Sequence, residues 1–201
     1  MTFFDDMPES PQGSRKPQPV RPAWAGPPSN ELPGVVHVGD FLHSSERMAL
    51  AVKLVEVYST GCLLDLTWTV RRREESDTQW REVMDQGFNH PGSRTVGDSG
   101  LMVGISYADG GKAIATQDVP FAPRHEGVAG PVLAVLGGGG GAANDEMVQA
   151  SARYWLWPLP VEADTQIMAQ WEALGVPESS LTLSAEELSA ALANIRTYWS
   201  E

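Results

Sequence analysis

A strict alternation of apolar and polar residues near the middle of the chain limits the possible folds more than any other feature. Every second position there is apolar: Cys62, Leu64, Leu66, Trp68 and Val70. The intervening positions carry Asp65, Thr67, Thr69 and Arg71. Because successive side chains of a β-strand point to opposite faces, this period of two predicts a strand with one buried face. Such one-sided strands are typical of antiparallel sheets.

Similar patterns recur along most of the chain. Residues 48–57 are apolar on both faces and predict a central strand, and 101–117 predict a hairpin around the turn 109–111. Further strand patterns occupy 35–42, 150–160 and 165–177. Since helices do not alternate regularly with these strands, the sequence predicts a mainly β protein with an antiparallel β-sandwich. An Ig-like topology is the first expectation, and a jelly-roll or C2-like arrangement is the second.

One C-terminal α-helix is predicted at 184–199. The residues at helical spacing are Leu188, Ala191, Leu192, Ile195 and Trp199. Ser184 and Glu187 form a capping box at the start of this segment. The polar stretch 72–100 is predicted to be a long loop that can hold a short helix at 78–85.

The N-terminal residues 1–33 are predicted to be a disordered arm, because they are rich in Pro and Gly and lack an apolar period. Residues 34–201 are predicted to form a single β-sandwich domain. Trp24 is the exception within the arm, since an indole offers a large apolar area. It can dock on the domain or on a partner, or remain solvated.

The charge balance excludes several classes of partner. The chain has 14 Lys and Arg against 26 Asp and Glu, which gives a formal net charge of −12. Nucleic acids and anionic membranes both require a positive surface, so neither is a predicted partner. No secretory signal pattern and no apolar run of about 20 residues occur, so the expected location is cytoplasmic. The lone Cys62 excludes an intrachain disulfide and is predicted to be a buried thiol.

The glycine tract 137–141 resembles the start of a dinucleotide site. Gly137, Gly139 and Ala142 satisfy a degenerate G-x-G-x-x-A pattern, which a run of glycines satisfies by composition alone. A dinucleotide site also needs a following helix and a parallel strand that bears an acid, and the following residues alternate with period two instead. The tract is therefore predicted to be a flexible hairpin connection, with a ligand-gripping loop as the alternative. No cofactor is predicted.

No catalytic or metal-ligating residue can be assigned from the sequence. The four histidines are His37, His43, His90 and His125, and none of them forms an i, i+4 pair. With one cysteine, a zinc cluster has too few ligands. Catalytic carboxylates brought together from separate loops are not visible at this level.

The candidate interaction residues are aromatic and basic. Trp155 and Trp157 share one strand face, where they are either covered by the C-terminal helix or exposed as a platform for a partner or a sugar. Arg71, Arg72 and Arg73 form the only basic cluster. Glu74 and Glu75 follow directly, so local neutralisation is expected, with a phosphate-binding patch as the alternative.

Several segments carry a family resemblance: RPAWAGPPSNELPG, VEVYSTGCLLDLTWTVR, LMVGISYADG, the glycine tract, and RYWLWPLP followed by W-x-x-x-G-V-P-E. From Trp24 nearly to the C-terminus, the chain resembles a set of small uncharacterised proteins of high-GC Gram-positive bacteria. The resemblance implies a single soluble domain. It assigns no activity and no functional residue.

The sequence thus predicts a non-catalytic protein-interaction or structural module that binds another protein or a second copy of itself. Trp24, Trp155, Trp157 and Arg71–Arg73 are the candidate interaction residues. One alternative is a β-sandwich that binds a small molecule or carbohydrate through exposed aromatics. The other is a hydrolase whose acids converge from loops.

Overall fold

The structure is a computed structural model that describes residues 21–88, 100–115, 128–138 and 140–199. Within these ranges the α-helices are α1 (Asp77–Phe88) and α2 (Ala185–Leu192), and short 3-10 helices occur at Ala23–Ala25 and Glu172–Leu174. The strands are β1 (Glu31–Leu32), β2 (Gly34–Ser44), β3 (Met48–Val57), β4 (Cys62–Arg71), β5 (Met102–Ser106), β6 (Lys112–Ile114), β7 (Val132–Gly138), β8 (Ala142–Ala143), β9 (Met147–Trp157), β10 (Thr165–Trp171), β11 (Val176–Leu183) and β12 (Arg196–Thr197).

All strand pairs between these elements are antiparallel, which confirms the prediction of a mainly β, antiparallel fold. The first sheet has the order β2-β3-β4-β9-β7, and β8 also pairs with β9. The second sheet has the order β11-β10-β5-β6. β1 and β12 form a separate two-stranded ribbon.

The two sheets contribute to one hydrophobic core. The apolar positions of the alternating strand β4 are all buried, as their period of two predicts. Trp68 of β4 meets Trp171 of β10 edge-on, with ring centroids 5.7 Å apart. Edge-to-face packing of this kind adds to the free energy gained from apolar burial alone. The inner faces of both sheets belong to the same cluster of buried residues.

The polar segment predicted as a loop holds the helix α1, at the place where the sequence allows a short helix at 78–85. The C-terminal helix is therefore not the single α-helix of the described residues. The Ser76 hydroxyl accepts a hydrogen bond from the Gln79 amide (3.4 Å), and the Gln79 side-chain oxygen accepts one from the Ser76 amide (3.0 Å). This reciprocal capping box starts the helix. Trp80 and Val83 are buried, and the indole Nε1 of Trp80 donates to the Asn144 carbonyl (3.0 Å). Residues 89–99 of the predicted loop lie outside the described residues.

Helix α2 begins as predicted but is shorter than 184–199. The Ser184 hydroxyl accepts from the Glu187 amide (3.4 Å), which confirms the cap. Leu188 and Ala191 are buried, and the helix ends at Leu192. The chain then turns and forms β12, whose hydrogen bonds with β1 replace those of a continued helix. Trp199, predicted for the buried stripe, is 74% exposed.

The glycine tract lies along the edge of the first sheet. Gly138 is opposite Ala152, and Ala142 is opposite Gln149, so β7 and β8 follow the same strand, β9. The hairpin turn comes after the tract, where the Asn144 amide donates to the Met147 carbonyl (2.9 Å). The predicted hairpin connection is therefore displaced toward the C-terminus. Gly139 lies outside the described residues.

Part of the predicted N-terminal arm packs on the domain. Residues 1–20 lie outside the described residues, whereas 21–33 contain a 3-10 helix and β1. Residues 21–33 therefore contain regular structure, whereas the sequence predicted a disordered arm through residue 33. Neither α-helix in the described ranges has the length and apolar character that a membrane crossing requires.

Candidate interaction surface

A continuous row of paired residues crosses the outer face of the first sheet. The strand registers place Val35, Glu56, Leu63, Trp155 and Ala134 side by side, one from each of β2, β3, β4, β9 and β7. Leu63, Trp155 and Ala134 are buried although they point away from the core between the sheets. Something must therefore cover this part of the outer face.

The cover is the N-terminal segment Ala23–Ala25. The Trp155 indole Nε1 donates to the Ala23 carbonyl (3.0 Å), and Ala25 packs in the same cluster as Leu63 and Trp155. Tyr58 adds an edge-on ring contact to Trp155 at 5.7 Å. Trp155 has no exposed surface, so it is not a platform, and it is covered by this segment and not by α2. An exposed aromatic platform for a sugar therefore loses one of its two predicted residues.

Trp24 and Trp157 lie at the rim of this covered cluster. Both are only partly buried and pack against it. Trp24 thus docks on its own domain. The structure brings Trp24, Trp155 and Trp157 together, which the sequence separation of more than 130 residues hides.

A polar group borders the cluster on the β3 side. The Glu56 carboxylate oxygen Oε2 accepts from Arg153 Nη2 (2.7 Å) and from the Tyr58 hydroxyl (3.0 Å). Burial, followed by the charge and hydrogen bond of Glu56, holds the pKa of Tyr58 well above its usual value of 10.0. Tyr58 is therefore a neutral donor at physiological pH, and its ring is held in place against Trp155.

The two ends of the described chain are joined beside this group. β1 pairs with β12, and the Tyr198 amide donates to the Asn30 carbonyl (2.9 Å). The Glu31 carboxylate accepts from the amide of Ser59 (2.9 Å), at the turn between β3 and β4, and also from its hydroxyl. We call residues 30–32 and 196–199 the terminal clasp. It is tied to the first sheet through this turn.

The terminal clasp and the adjacent start of β2 carry most of the exposed large apolar side chains of the described residues. Seven large apolar side chains are exposed among the described residues. Four of them define what we call the clasp surface: Leu32 (44%), Val35 (56%), Tyr198 (53%) and Trp199 (74%). The other three are Phe41, Phe88 and Ile114. Concentrated exposed apolar area is a mark of interaction sites.

None of the four clasp-surface residues was an interaction candidate from the sequence, and Trp199 was predicted for the buried stripe of the C-terminal helix. A usable signal existed at the C-terminus, because Ile195–Trp199 is rich in β-branched and aromatic residues that favour strands. The helical spacing of Ile195 and Trp199 concealed it. The pairing of β12 with β1 joins residues 164 and 166 positions apart, which local patterns do not encode.

The three arginines lie at the far end of the sheet from the aromatic cluster. Arg71 is opposite Met147, whereas Leu63 is opposite Trp155, eight residues along the same strands. At about 3.3 Å per residue this separation is about 26 Å. The sequence candidates therefore do not form one site.

Acidic neighbours neutralise much of the arginine cluster. Arg72 Nη2 lies 2.6 Å from an Asp77 oxygen, and Arg73 Nη2 lies 2.9 Å from a Glu46 oxygen. The backbone hydrogen bond from Arg73, with Arg47 and Arg72 nearby, lowers the pKa of Glu75. The structure therefore places local ion pairs in the arginine cluster, and Arg71 is exposed beside them.

We next consider metal-binding and nucleophilic side chains among the described residues. No group of three or more His, Cys, Asp or Glu side chains within them is arranged to hold a metal ion. His90 and His125 lie outside the described residues. Cys62 is buried as predicted, and burial raises the pKa of its thiol to about 12. A thiol in this state is a poor nucleophile at neutral pH.

Comparison of the chain with protein-family models, with curated proteins and with solved structures finds no match.

Proposed function

We propose that this protein is a non-catalytic interaction module that binds a partner protein through the clasp surface. The observation that carries the proposal is the concentration of exposed Leu32, Val35, Tyr198 and Trp199 on the terminal clasp and the start of β2. Aromatic side chains on a supported backbone supply large contact area at low entropic cost, and they dominate many protein interfaces.

The charge of the chain indicates the kind of partner. A second copy carries the same formal net charge of −12 over its whole chain, and repulsion between two such chains disfavours self-association. We therefore propose a different protein whose surface combines an apolar patch with basic residues. Self-association is the alternative outcome of the tests below. We also propose that the module works in the cytoplasm and that its two sheets form a sandwich; the Ig-like and jelly-roll topologies stay predictions.

Site-specific photo-crosslinking in the native cells tests the proposal. A photoreactive amino acid is placed at Val35 or Tyr198, and in a matched chain at Ile114, which is equally apolar and 63% exposed but lies on β6 of the second sheet. We expect a discrete crosslinked protein from positions 35 and 198 and none from 114. Equal crosslinking at all three positions, or none at 35 and 198, contradicts the proposal.

A second measurement uses the partner captured by crosslinking. We expect Trp199→Ala to weaken its binding by at least tenfold, because an aromatic anchor typically contributes about 2 kcal/mol of binding free energy. Ile114→Ala, the matched control, should leave affinity unchanged. Light scattering at two protein concentrations tests self-association. If crosslinking detects a homodimer, the measured molecular mass must also rise with protein concentration.

A further inference from the structure

The cover, Ala23–Ala25, occupies a groove on the outer face of the first sheet. Leu63, Ala134 and Trp155 form the base of this groove, and Tyr58 lies at one side with its ring edge-on to the Trp155 indole. We call it the cover groove. The three side chains at its base are at most 3% exposed. Because contact between these side chains and water is unfavourable, the groove is stable only while a segment of chain fills it.

The contacts between the cover and its groove depend little on the sequence of the cover. The Trp155 indole Nε1 donates to a main-chain carbonyl, that of Ala23 (3.0 Å). Any segment that places a carbonyl oxygen at this point can accept the same hydrogen bond, since every residue carries one. Ala25 is only 6% exposed, so a large side chain has little room at its position. The groove therefore fits a short turn that offers a carbonyl and a small apolar side chain.

The local structure of the cover depends on its groove. The cover is a single turn of 3-10 helix, closed by the Ala25 amide, which donates to the Pro22 carbonyl (2.9 Å), and Pro22 provides no side-chain cap. One such turn is marginal in water. The flanking residues Pro22, Pro27 and Pro28 have no amide hydrogen, so release of the segment exposes few backbone donors. The cover can therefore exchange with an external segment of similar chemistry.

The cover groove is continuous with the clasp surface. The strand registers place the exposed Val35 and the groove residue Leu63 in one row, two strands apart. At about 4.8 Å between neighbouring strands, about 10 Å separates them. Glu31 of the terminal clasp accepts a hydrogen bond from the amide of Ser59, which directly follows the groove residue Tyr58. A protein bound on the clasp surface thus lies beside the groove.

We propose that the partner of the clasp surface also fills the cover groove, with a proline-flanked segment that displaces Ala23–Ala25. This inference rests on the proposed function, because it concerns the same partner. The segment of the partner supplies a carbonyl to Trp155 Nε1 and a small apolar side chain in the place of Ala25. Without the partner, the cover protects the groove from water. The cover therefore competes with the partner and lowers its apparent affinity.

A peptide of residues 21–28, RPAWAGPP, is the probe for the cover groove. It is titrated into the ¹⁵N-labelled full chain up to about 10 mM, which exceeds the millimolar effective concentration of a tethered segment. We expect the amide and indole resonances of Trp24 in the full chain to move toward their positions in the free peptide. The same peptide with Ala25→Arg is the matched control and should leave these resonances unmoved, because arginine does not fit in the place of alanine.

Two results of this titration would overturn the proposal. Unmoved Trp24 resonances with RPAWAGPP would show that the groove does not exchange its occupant. Equal shifts with both peptides would show that the groove does not select a small side chain. The titration uses the parent chain, so neither result depends on the folding of a variant.

The partner captured by crosslinking tests the competition. We expect full-chain Ala25→Arg to bind the partner at least tenfold more tightly than the parent chain does, because its cover no longer competes for the groove. Ser29→Arg adds the same charge at an exposed position beyond the cover, and it should leave the affinity unchanged. An excess of RPAWAGPP should weaken binding of the partner to the parent chain, which is a measurement that needs no folded variant.

This inference and the proposed function fail in different ways. If positions 35 and 198 give no crosslinked protein, the proposed function fails and this inference fails with it. If a partner crosslinks there, binds the parent and Ala25→Arg equally well and is not displaced by RPAWAGPP, this inference is wrong and the proposed function stands.

Discussion

At the scale of single residues, close contacts decide which positions tolerate change. Gly141 and Gly140 are neighbours in the same glycine tract, yet their surroundings differ. A Cβ atom on Gly141 would lie 2.3 Å from Phe88 Cε1 and 2.9 Å from the Gln149 carbonyl oxygen, whereas a Cβ on Gly140 has no atom within 4 Å. The glycine at 141 is therefore required by packing between the sheet edge and α1.

We predict that Gly141→Ala destabilises the fold by about 1–3 kcal/mol, since inserted carbon in a tight contact forces its neighbours to move. Gly140→Ala, the matched control, should be neutral or slightly stabilising because alanine reduces the entropy of the unfolded chain. Urea denaturation measures both free energies of unfolding. Equal effects at the two positions would show that Phe88 yields without cost.

Cys62 makes stability depend on alkaline pH. Its thiol pKa is 9.0 when solvated and about 12 in the folded protein. A pKa raised on folding gives stability that is complete below pH 9 and is lost as pH rises toward 12, because the unfolded state releases its proton first. Between pH 9 and 10 the parent should lose about 1 kcal/mol more than Cys62→Ala. Parallel pH profiles for the two proteins would contradict the assignment.

At the scale of elements, the N-terminal segment acts as a cover for the first sheet. A strand face that bears Leu63 and Trp155 needs protection from water, and Ala23–Ala25 provides it together with a hydrogen bond to the indole. The chain that follows this segment is fixed in the terminal clasp, where β1 pairs with β12. Trp155 is thus a structural residue whose fluorescence can report on the cover.

We predict that deletion of residues 1–26 lowers the free energy of unfolding by about 3 kcal/mol, because an indole and its neighbours become exposed. The emission maximum should shift to longer wavelength. Deletion of residues 1–20 is the control and should preserve both properties, since it leaves the covering segment intact. Equal loss in the two truncated chains would mean that the covering contact contributes little.

At the scale of the whole molecule, the two sheets share a core that neither could bury alone. Trp68 and Trp171 come from different sheets and meet in that core, and the helices α1 and α2 pack against its margins. The central strands β4 and β9 pair residues that are 76 to 94 positions apart in the chain, so their contacts form only when distant segments meet. Such a shared core favours a single cooperative transition.

We predict that urea unfolding followed by far-UV circular dichroism and by tryptophan fluorescence gives coincident curves. The first signal averages over both sheets, and the second averages over the tryptophans, which include Trp68 and Trp171 at the contact between the sheets. Two separated transitions would show that the sheets unfold independently and that residues 34–201 are not one domain.

The sequence by itself determined the local choices, because they depend on neighbours within a few residues. The alternation of Cys62–Arg71 specified a one-sided strand, and Ser184 with Glu187 specified the start of α2. For α1 the sequence allowed a short helix at 78–85, and the reciprocal capping of Ser76 and Gln79 is the local signal that starts it.

Only the tertiary structure decided which segment covers each apolar side chain. Helical spacing assigned Trp199 to a buried stripe, yet pairing of Arg196–Thr197 with Glu31–Leu32 ended α2 early and left that indole 74% exposed. Trp155 was covered by a segment more than 100 residues away. Both outcomes arise because the hydrophobic effect is non-directional and acts between residues that are distant in sequence. The local pattern around a residue therefore predicts that its side chain is buried, but it does not predict which segment buries it.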